Sequence, residues 1–383
     1  MALRLYSRKN VLDTALDRIR WLFDEFPNVV VGFSGGKDST VTFNLALQVA
    51  REKGRLPLRV MFLDQEAEWM ATIEQVRRVM TDPDVEPLWL QVPIRLFNAT
   101  SSTEHWLYCW DEKDRGRWMR EREPYALTEN NFGTDRFGEM FQAVFETLYP
   151  GVKTCYLAGV RTEESPTRML GLTHYLTYKW VTWGKRLSKK HEHFTMYPLY
   201  DWSYTDIWKA IFDHDWSYNT IYDSMYAYGV SVRDMRVSNV HHETAVHALF
   251  FMQEVEPETY VRLTARISGI DMAGKMGKDD YFVKELPHMF ASWREYRDYL
   301  LDKLIDSDDW KLRFRSLFES QDRMFDGRVG DKLYQMHVSS ILTNDWEGIK
   351  AGNFSRAPEN HIIRKRVRAE REANEHRPPD AAA

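Results

Sequence analysis

The segment VVVGFSGGKDSTVTFNLALQVAREKG, residues 29–54, constrains the chain most. A short apolar run of strand character ends in Ser34-Gly35-Gly36-Lys37-Asp38-Ser39, and a helical apolar pattern then runs to Gly54. A strand that feeds a helix so directly predicts a parallel βαβ unit with a right-handed crossover. The pattern repeats: LRVMFLD (58–64) reads as a second strand, EAEWMATIEQVRRVM (66–80) as a helix with acidic residues in its first turn, and PLWLQVPI (87–94) as a third strand. CYLAGV (155–160) and FTMYPL (194–199) supply a fourth and a fifth, and Ser203-x-x-Asp206 has the form of a capping box. The expected core is an α/β five-stranded parallel sheet with helices on both faces.

The turn after the first strand has the parts of a phosphate cradle. Gly35 and Gly36 let the backbone approach an anion, Lys37 adds a cation, Ser34 and Ser39 offer hydroxyls, and the helix N-terminus adds partial positive charge. The Walker spacing G-x-x-x-x-G-K-[ST] and the dinucleotide fingerprint G-x-G-x-x-G are both absent from this turn.

S-G-G-K-D-S directly after a strand instead resembles the PP-loop of the N-type ATP pyrophosphatase superfamily, whose fold is adenine nucleotide alpha-hydrolase-like and Rossmann-like. A second element, LAGVRTEESPTR (157–168), resembles the G-x-R-x-x-x-S-x-x-R element of phosphoadenylyl-sulfate (PAPS) reductases, through Gly159, Arg161, Glu164, Ser165 and Arg168. YPLYDWSYTDIWKAI (197–211) and SYNTIYDSMYAYGVSVRDMR (217–236) resemble two further segments of that family, with Trp202 and Trp208 read as packed aromatics. The resemblance covers roughly residues 25–240. It extends to the less characterised PAPS reductase-like proteins of phages and mobile elements, many of them neighbours of a ParB-like protein.

The resemblance implies an adenine nucleotide, ATP or PAPS, with its pyrophosphate on Ser34–Ser39 and its adenine near Leu63 and Asp64. Lys37 would offset charge on the leaving pyrophosphate, and Asp38 would hold Mg²⁺ or else cap the following helix. Gly159 and Ser165 fall in the nucleotide-binding set. A nucleophile entering over Arg161 and Arg168 would attack the α-phosphorus, chemistry that rests on positioning and charge. Ion pairing with Glu163 and Glu164 is the plain alternative for these two arginines.

The chain departs from true reductases in its thiols. Only Cys109 and Cys155 occur, and residues 156–383 contain no cysteine. Cys155 falls inside a strand, whereas Cys109 lies in an insertion at 97–150 and is a candidate for exposure. An iron–sulfur cluster and a zinc site are not expected, and sulfonucleotide reduction would need an external thiol. Adenylylation of an unknown acceptor with pyrophosphate release is therefore the leading reading. A nucleotide-sensing module acting with a partner, a ParB-like protein among the possibilities, is the rival of another class.

The rest is read more plainly. Net charge is −5, so any nucleic-acid contact must be a local basic patch; WGKRLSKKH, with Lys185, Arg186, Lys189 and Lys190, is one candidate, and Arg233 and Arg236 are weaker ones. His241, His242 and His247 lack metal-ligand spacing, and Glu254, Glu256 and Glu258 read as a solvated acidic turn around Pro257. No signal peptide or membrane span is evident, which predicts a cytoplasmic protein. The expected division is a nucleotide-binding domain at 1–243, an α-helical domain at 244–365 and a charged, partly disordered tail at 366–383.

Overall fold

The computed structural model describes residues 8–98, 100–101, 104–232, 235–237, 248–270 and 285–375. Two compact units form, and their sequences interleave: the first draws on residues within 1–96, 108–239 and 251–262, the second on residues within 97–107, 240–250 and 263–383.

In the first unit, α1 (Val11–Glu25) leads into β1 (Asn28–Gly32), α2 (Lys37–Glu52), β2 (Leu58–Leu63), α3 (Met70–Met80) and β3 (Val85–Leu90). After the short strands β4 (Ile94–Phe97) and β5 (Trp106–Cys109), which pair with each other, come α4 (Phe137–Leu148) and β6 (Thr154–Leu157). Then follow α5 (Pro166–Thr173), β7 (Gly184–Arg186), β8 (His193–Met196), α6 (Tyr204–Asp213) and α7 (Ile221–Tyr228). The main sheet has the order β3-β2-β1-β6-β8-β7. The first five of these strands are parallel, as the sequence predicts, and β7 adds a sixth, antiparallel to β8.

All five residues of β1 are buried, as a strand covered on both faces requires. β6 displays the two faces by alternation. Cys155 and Leu157 join the core built with α1, α2, α3 and α6, whereas Tyr156 turns to the other side against Phe141 and Phe145 of α4. Gly32 is fixed by that packing, since a Cβ there would lie 2.1 Å from the Tyr156 hydroxyl.

The predicted helix over 66–80 starts later, at Met70. Glu66 adopts φ 63°, and its carboxylate accepts from the amides of Trp110 and Met119 at 2.9 and 3.3 Å, so the acidic residues precede the helix instead of forming its first turn. The predicted capping box is present: the Ser203 hydroxyl accepts from the Asp206 amide at 3.2 Å, and Asp206 accepts from the Ser203 amide at 2.7 Å.

Beyond α7 the described chain is helical, with α8 (Ala248–Val255), α9 (Pro257–Arg266), α10 (Trp293–Lys303), α11 (Asp308–Phe325), α12 (Asp331–Leu342), α13 (Ile349–Arg356) and α14 (Pro358–Glu375). The core of the second unit gathers Trp293, Trp310, Phe314, Phe318 and Trp346, with Phe97 and Trp106 against it. A buried polar network runs through this core: the His337 Nε2 lies 2.8 Å from the Gln321 Oε1, Arg297 donates to Asp322 at 3.1 Å, and Phe318 stacks on the imidazole at 3.9 Å. Among the described residues, no helix is long and apolar enough to cross a membrane.

Candidate functional site

The carboxyl ends of the parallel strands form the edge at which open α/β sheets bind ligands. The phosphate loop leaves β1 there. Gly35 has φ +69°, and a Cβ at this position would sit 2.8 Å from the Thr72 Cγ2, so glycine is required both for conformation and for approach to α3. The Asn219 amide ties the same two elements, donating to the Gly35 carbonyl at 3.1 Å and to the Thr72 hydroxyl at 2.9 Å. Inside the loop, the Ser39 hydroxyl accepts from the Ser34 amide at 3.2 Å and donates to the Gly36 carbonyl at 2.9 Å. The Tyr222 hydroxyl receives the Lys37 amide at 3.1 Å. Gly159 lets the strand after β6 lie against α2: its Cβ would be 2.7 Å from the Asp38 carbonyl carbon.

Charged side chains converge on this turn. The Lys37 ammonium is buried, 3.2 Å from the Asp38 Oδ2, 3.4 Å from the Met235 carbonyl and above the Tyr222 ring. Arg161, also buried, donates through Nε to the Asp38 Oδ1 and reaches Glu163 at 3.1 Å. Arg168 pairs with Glu164; burial and the neighbouring Arg236 guanidinium lower its pKa. Burial pushes the Tyr197 phenol, beside Arg168, up to about 12 and raises Tyr222 as well. Both hydroxyls therefore stay protonated and able to donate at neutral pH. Lys37, Arg161, Arg168 and Arg236 thus stand around one loop against Asp38, Glu163 and Glu164.

Two expected roles do not fit this arrangement. Both Asp38 oxygens face cations, which makes Asp38 a partner of Lys37 and Arg161 and not a magnesium ligand. The Ser165 hydroxyl caps α5, accepting from the Arg168 amide at 3.1 Å. Leu63 is buried, and the Asp64 carboxylate is fully enclosed by Trp89 Nε1 at 2.8 Å, Gln91 Nε2 at 3.0 Å, the Glu66 amide at 2.9 Å and Arg120. Asp64 is thus a structural hub joining β2, β3 and the segment after β5, with no face for an adenine. Close by in sequence, burial and the Asp64 charge push the Glu68 carboxyl up to about 8, opposed by Arg120.

A further contact at this edge comes from late in the chain. Trp69, 1% exposed and with no hydrogen-bond partner for its indole N–H, stacks on Phe251 at 5.7 Å. The Glu256 carboxylate accepts from the Met70 and Ala71 amides at 2.9 and 3.0 Å and so caps α3. Glu256 is therefore not part of a purely solvated turn. The cap borders a cavity of about 460 Å³ lined by Met70, Glu74, Glu258 and Arg262; it is acidic and distinct from the phosphate loop.

Residues 28–228, which carry the loop, both site arginines and the Asn219–Tyr222 brace, match the phosphoadenosine phosphosulfate reductase domain. The chain belongs to that family. Residues 229–369 match a second family, a domain of unknown function (DUF3440). An uncharacterised Escherichia coli K12 protein, YbdN, is 29% identical over 313 residues, covering 77% of this chain and 75% of that protein. A PAPS reductase from Candida auris, solved as a phosphate complex, covers 63% of this chain and 99% of its own at 16% identity and a TM-score of 0.35. The FMN adenylyltransferase of Candida glabrata, solved with FMN and an ATP analogue, is 13% identical with a TM-score of 0.36 over 57% of this chain; the chain spans 64% of that enzyme.

Within this PAPS reductase-family unit, other sequence expectations fall out differently. Cys109 is wholly buried in β5, its thiol against the Gln65 carbonyl at 3.1 Å, so the expected exposure is wrong; Cys155 is buried in β6, where burial raises its pKa well above the usual thiol value. Lys189 and Lys190 lie at the edge opposite the phosphate loop, because β7 descends from Gly184 beside Met196 to Arg186 beside Phe194, and Lys190 then meets Glu146 at 3.6 Å. Arg233, His241, His242 and His247 lie outside the described residues. Trp202 is a packed aromatic, donating to the Val11 carbonyl at 3.2 Å. The roles of Asn219 and Tyr222 were missed, although both stand in the N-x-x-Y-D element; nothing local marked Phe251 or Glu256.

Proposed function

We propose that the chain binds an adenylyl nucleotide with its pyrophosphate on Ser34–Ser39 and transfers the adenylyl group to an acceptor. The observation that carries this reading is the Lys37–Asp38–Arg161 arrangement at the N-terminus of α2, in which two buried cations share one carboxylate. An arriving polyphosphate competes with Asp38 for both cations, and the first-turn amides of α2 add donors. An anionic acceptor oxygen attacks the α-phosphorus, the α–β bond breaks, and the bonding pair leaves on pyrophosphate beside Lys37. Arg161 and Arg168 hold the acceptor and the transferred phosphoryl group.

PAPS is the second nucleotide with support. Arg168 and Arg236 add guanidinium groups beyond those a pyrophosphate requires, and family membership points the same way. Reduction of PAPS would draw on an external thiol, because both cysteines are buried.

Product analysis with ATP and PAPS in parallel, with and without Mg²⁺, tests the reading. Pyrophosphate and an adenylylated product from ATP, lost in Lys37→Met, are expected. Sulfite from PAPS with a thiol donor would install the reductase instead. Tight binding without turnover, relieved by no acceptor, would favour a nucleotide sensor acting with a partner such as a ParB-like protein.

A further inference from the structure

From Ser165 to His191 the sequence has no Asp or Glu, yet it carries Arg168, Lys179, Lys185, Arg186, Lys189 and Lys190 in a chain of net charge −5. The same stretch exposes apolar and aromatic surface: Tyr175 is 73% exposed, Leu176 69%, Trp180 63% and Leu170 59%. Only Leu172 of α5 is recorded as buried among its described side chains, so this helix lies open along most of its length.

The stretch runs as a track. It begins at Arg168 beside the phosphate loop. The Thr177 hydroxyl donates to the Gly184 carbonyl at 2.8 Å, which sets residues 174–177 beside the carboxyl end of β7. Trp180 lies against Trp21 of α1 at 5.0 Å, and the track ends at Lys189 and Lys190 on the opposite sheet edge. Acidic groups from other elements meet part of it: Glu164 pairs with Arg168, Glu25 with Lys179 and Glu146 with Lys190. Among the described residues, no carboxylate pairs with Lys185, Arg186 or Lys189.

We infer that this track binds single-stranded nucleic acid, with phosphates on Lys185, Arg186 and Lys189 and bases on Tyr175 and Trp180, and leads the strand to Arg168. Spaced cations without intervening acid match a polyanion, and exposed rings offer stacking faces that a single strand can use and a duplex cannot. The inference deepens the proposed function by naming its acceptor class.

The test uses the full chain and fluorescein-labelled RNA and DNA single strands of about 12 nucleotides, with the matching duplexes, followed by anisotropy. ATP binding is measured on the same samples by equilibrium dialysis. Single strands should bind more tightly than duplexes, and the RNA and DNA arms show which sugar is preferred. Tyr175→Ala and Trp180→Ala should each weaken binding roughly tenfold. Lys185→Glu combined with Lys189→Glu should reduce the slope of log affinity against log salt by about 1.4. These exposed substitutions should leave ATP binding unchanged.

Absence of oligonucleotide binding with ATP binding intact overturns the track alone. Oligonucleotide binding that the variants do not weaken also overturns it, as does a dimer that forms through Tyr175 and excludes the strand. Loss of ATP binding with normal oligonucleotide binding overturns the phosphate-loop reading and leaves the track standing.

Discussion

The Arg161 guanidinium, just past β6, donates to the Asp38 carboxylate in the first turn of α2. The pair joins the ends of two neighbouring parallel strands at the ligand-binding edge. It also holds a buried cation beside the phosphate loop without leaving it unpaired. Nucleotide binding therefore exchanges one anionic partner for another, which spares the cost of desolvating a free guanidinium.

Arg161→Ala should destabilise the first unit by about 3 kcal/mol, because Asp38 and Glu163 lose their partner. Nucleotide affinity should fall at least tenfold. Calorimetric melting and isothermal titration check the two effects separately, and Arg161→Lys should recover part of the first but little of the second.

Lys37→Met keeps the buried aliphatic stem and removes the charge. Fold stability should change little, while nucleotide affinity drops at least tenfold. A large fall in melting temperature would mean that Lys37 serves the apo fold through Asp38 and Met235 more than it serves a ligand.

Glu68 gives the first unit a distinctive pH response. Its folded pKa lies near 8, above the ordinary carboxyl value, so between about pH 4.5 and 8 the folded state holds a proton that the unfolded state has released. Its contribution to stability falls as pH rises through that window and then levels off. Glu68→Gln should raise the melting temperature at pH 8 by an amount that vanishes near pH 4.5, on the order of a few kcal/mol at most.

His337 acts in the opposite direction in the second unit. Burial, reinforced by Arg297, pushes its pKa down to about 3, so the unfolded chain takes up a proton first as pH falls below about 6.5. Stability present above that value should decline toward pH 3. His337→Gln should flatten this limb in melts followed by helical circular dichroism.

Glu256→Ala removes the cap from α3 and should cost about 1 kcal/mol. Hydrogen exchange at the Met70 and Ala71 amides should quicken more than at the middle of the helix. Equal exchange in both proteins would show that solvent caps α3 as well as Glu256 does.

Much of the first unit was legible because its signals are local. The five parallel strands announced themselves through apolar runs, and the loop through small residues between a strand and a helix. β7 was not legible: Gly-Lys-Arg has no alternation, and it is a strand only because Phe194–Met196 offers it an edge. The start of α3 was misplaced because Glu66 and Glu68 favour a first helical turn in isolation, whereas here Glu66 is held by amides some forty residues on. Asp64 was read as lining a ligand site because the residue after a parallel strand usually faces the edge; its donors Trp89, Gln91 and Arg120 come from elsewhere in the chain. Cys109 was misjudged for the same reason, since burial in an insertion depends on partners that spacing does not reveal.

Phe251 and Glu256 lie in the stretch matched by the second sequence family, yet they complete the unit that holds the phosphate loop. A gene fragment ending at residue 228 would encode a sheet with an open seam: Trp69 bare on one side and the first amides of α3 uncapped. The two families are therefore spliced through one another, not strung end to end. Recombination that kept only the first would inherit a nucleotide site missing part of its wall.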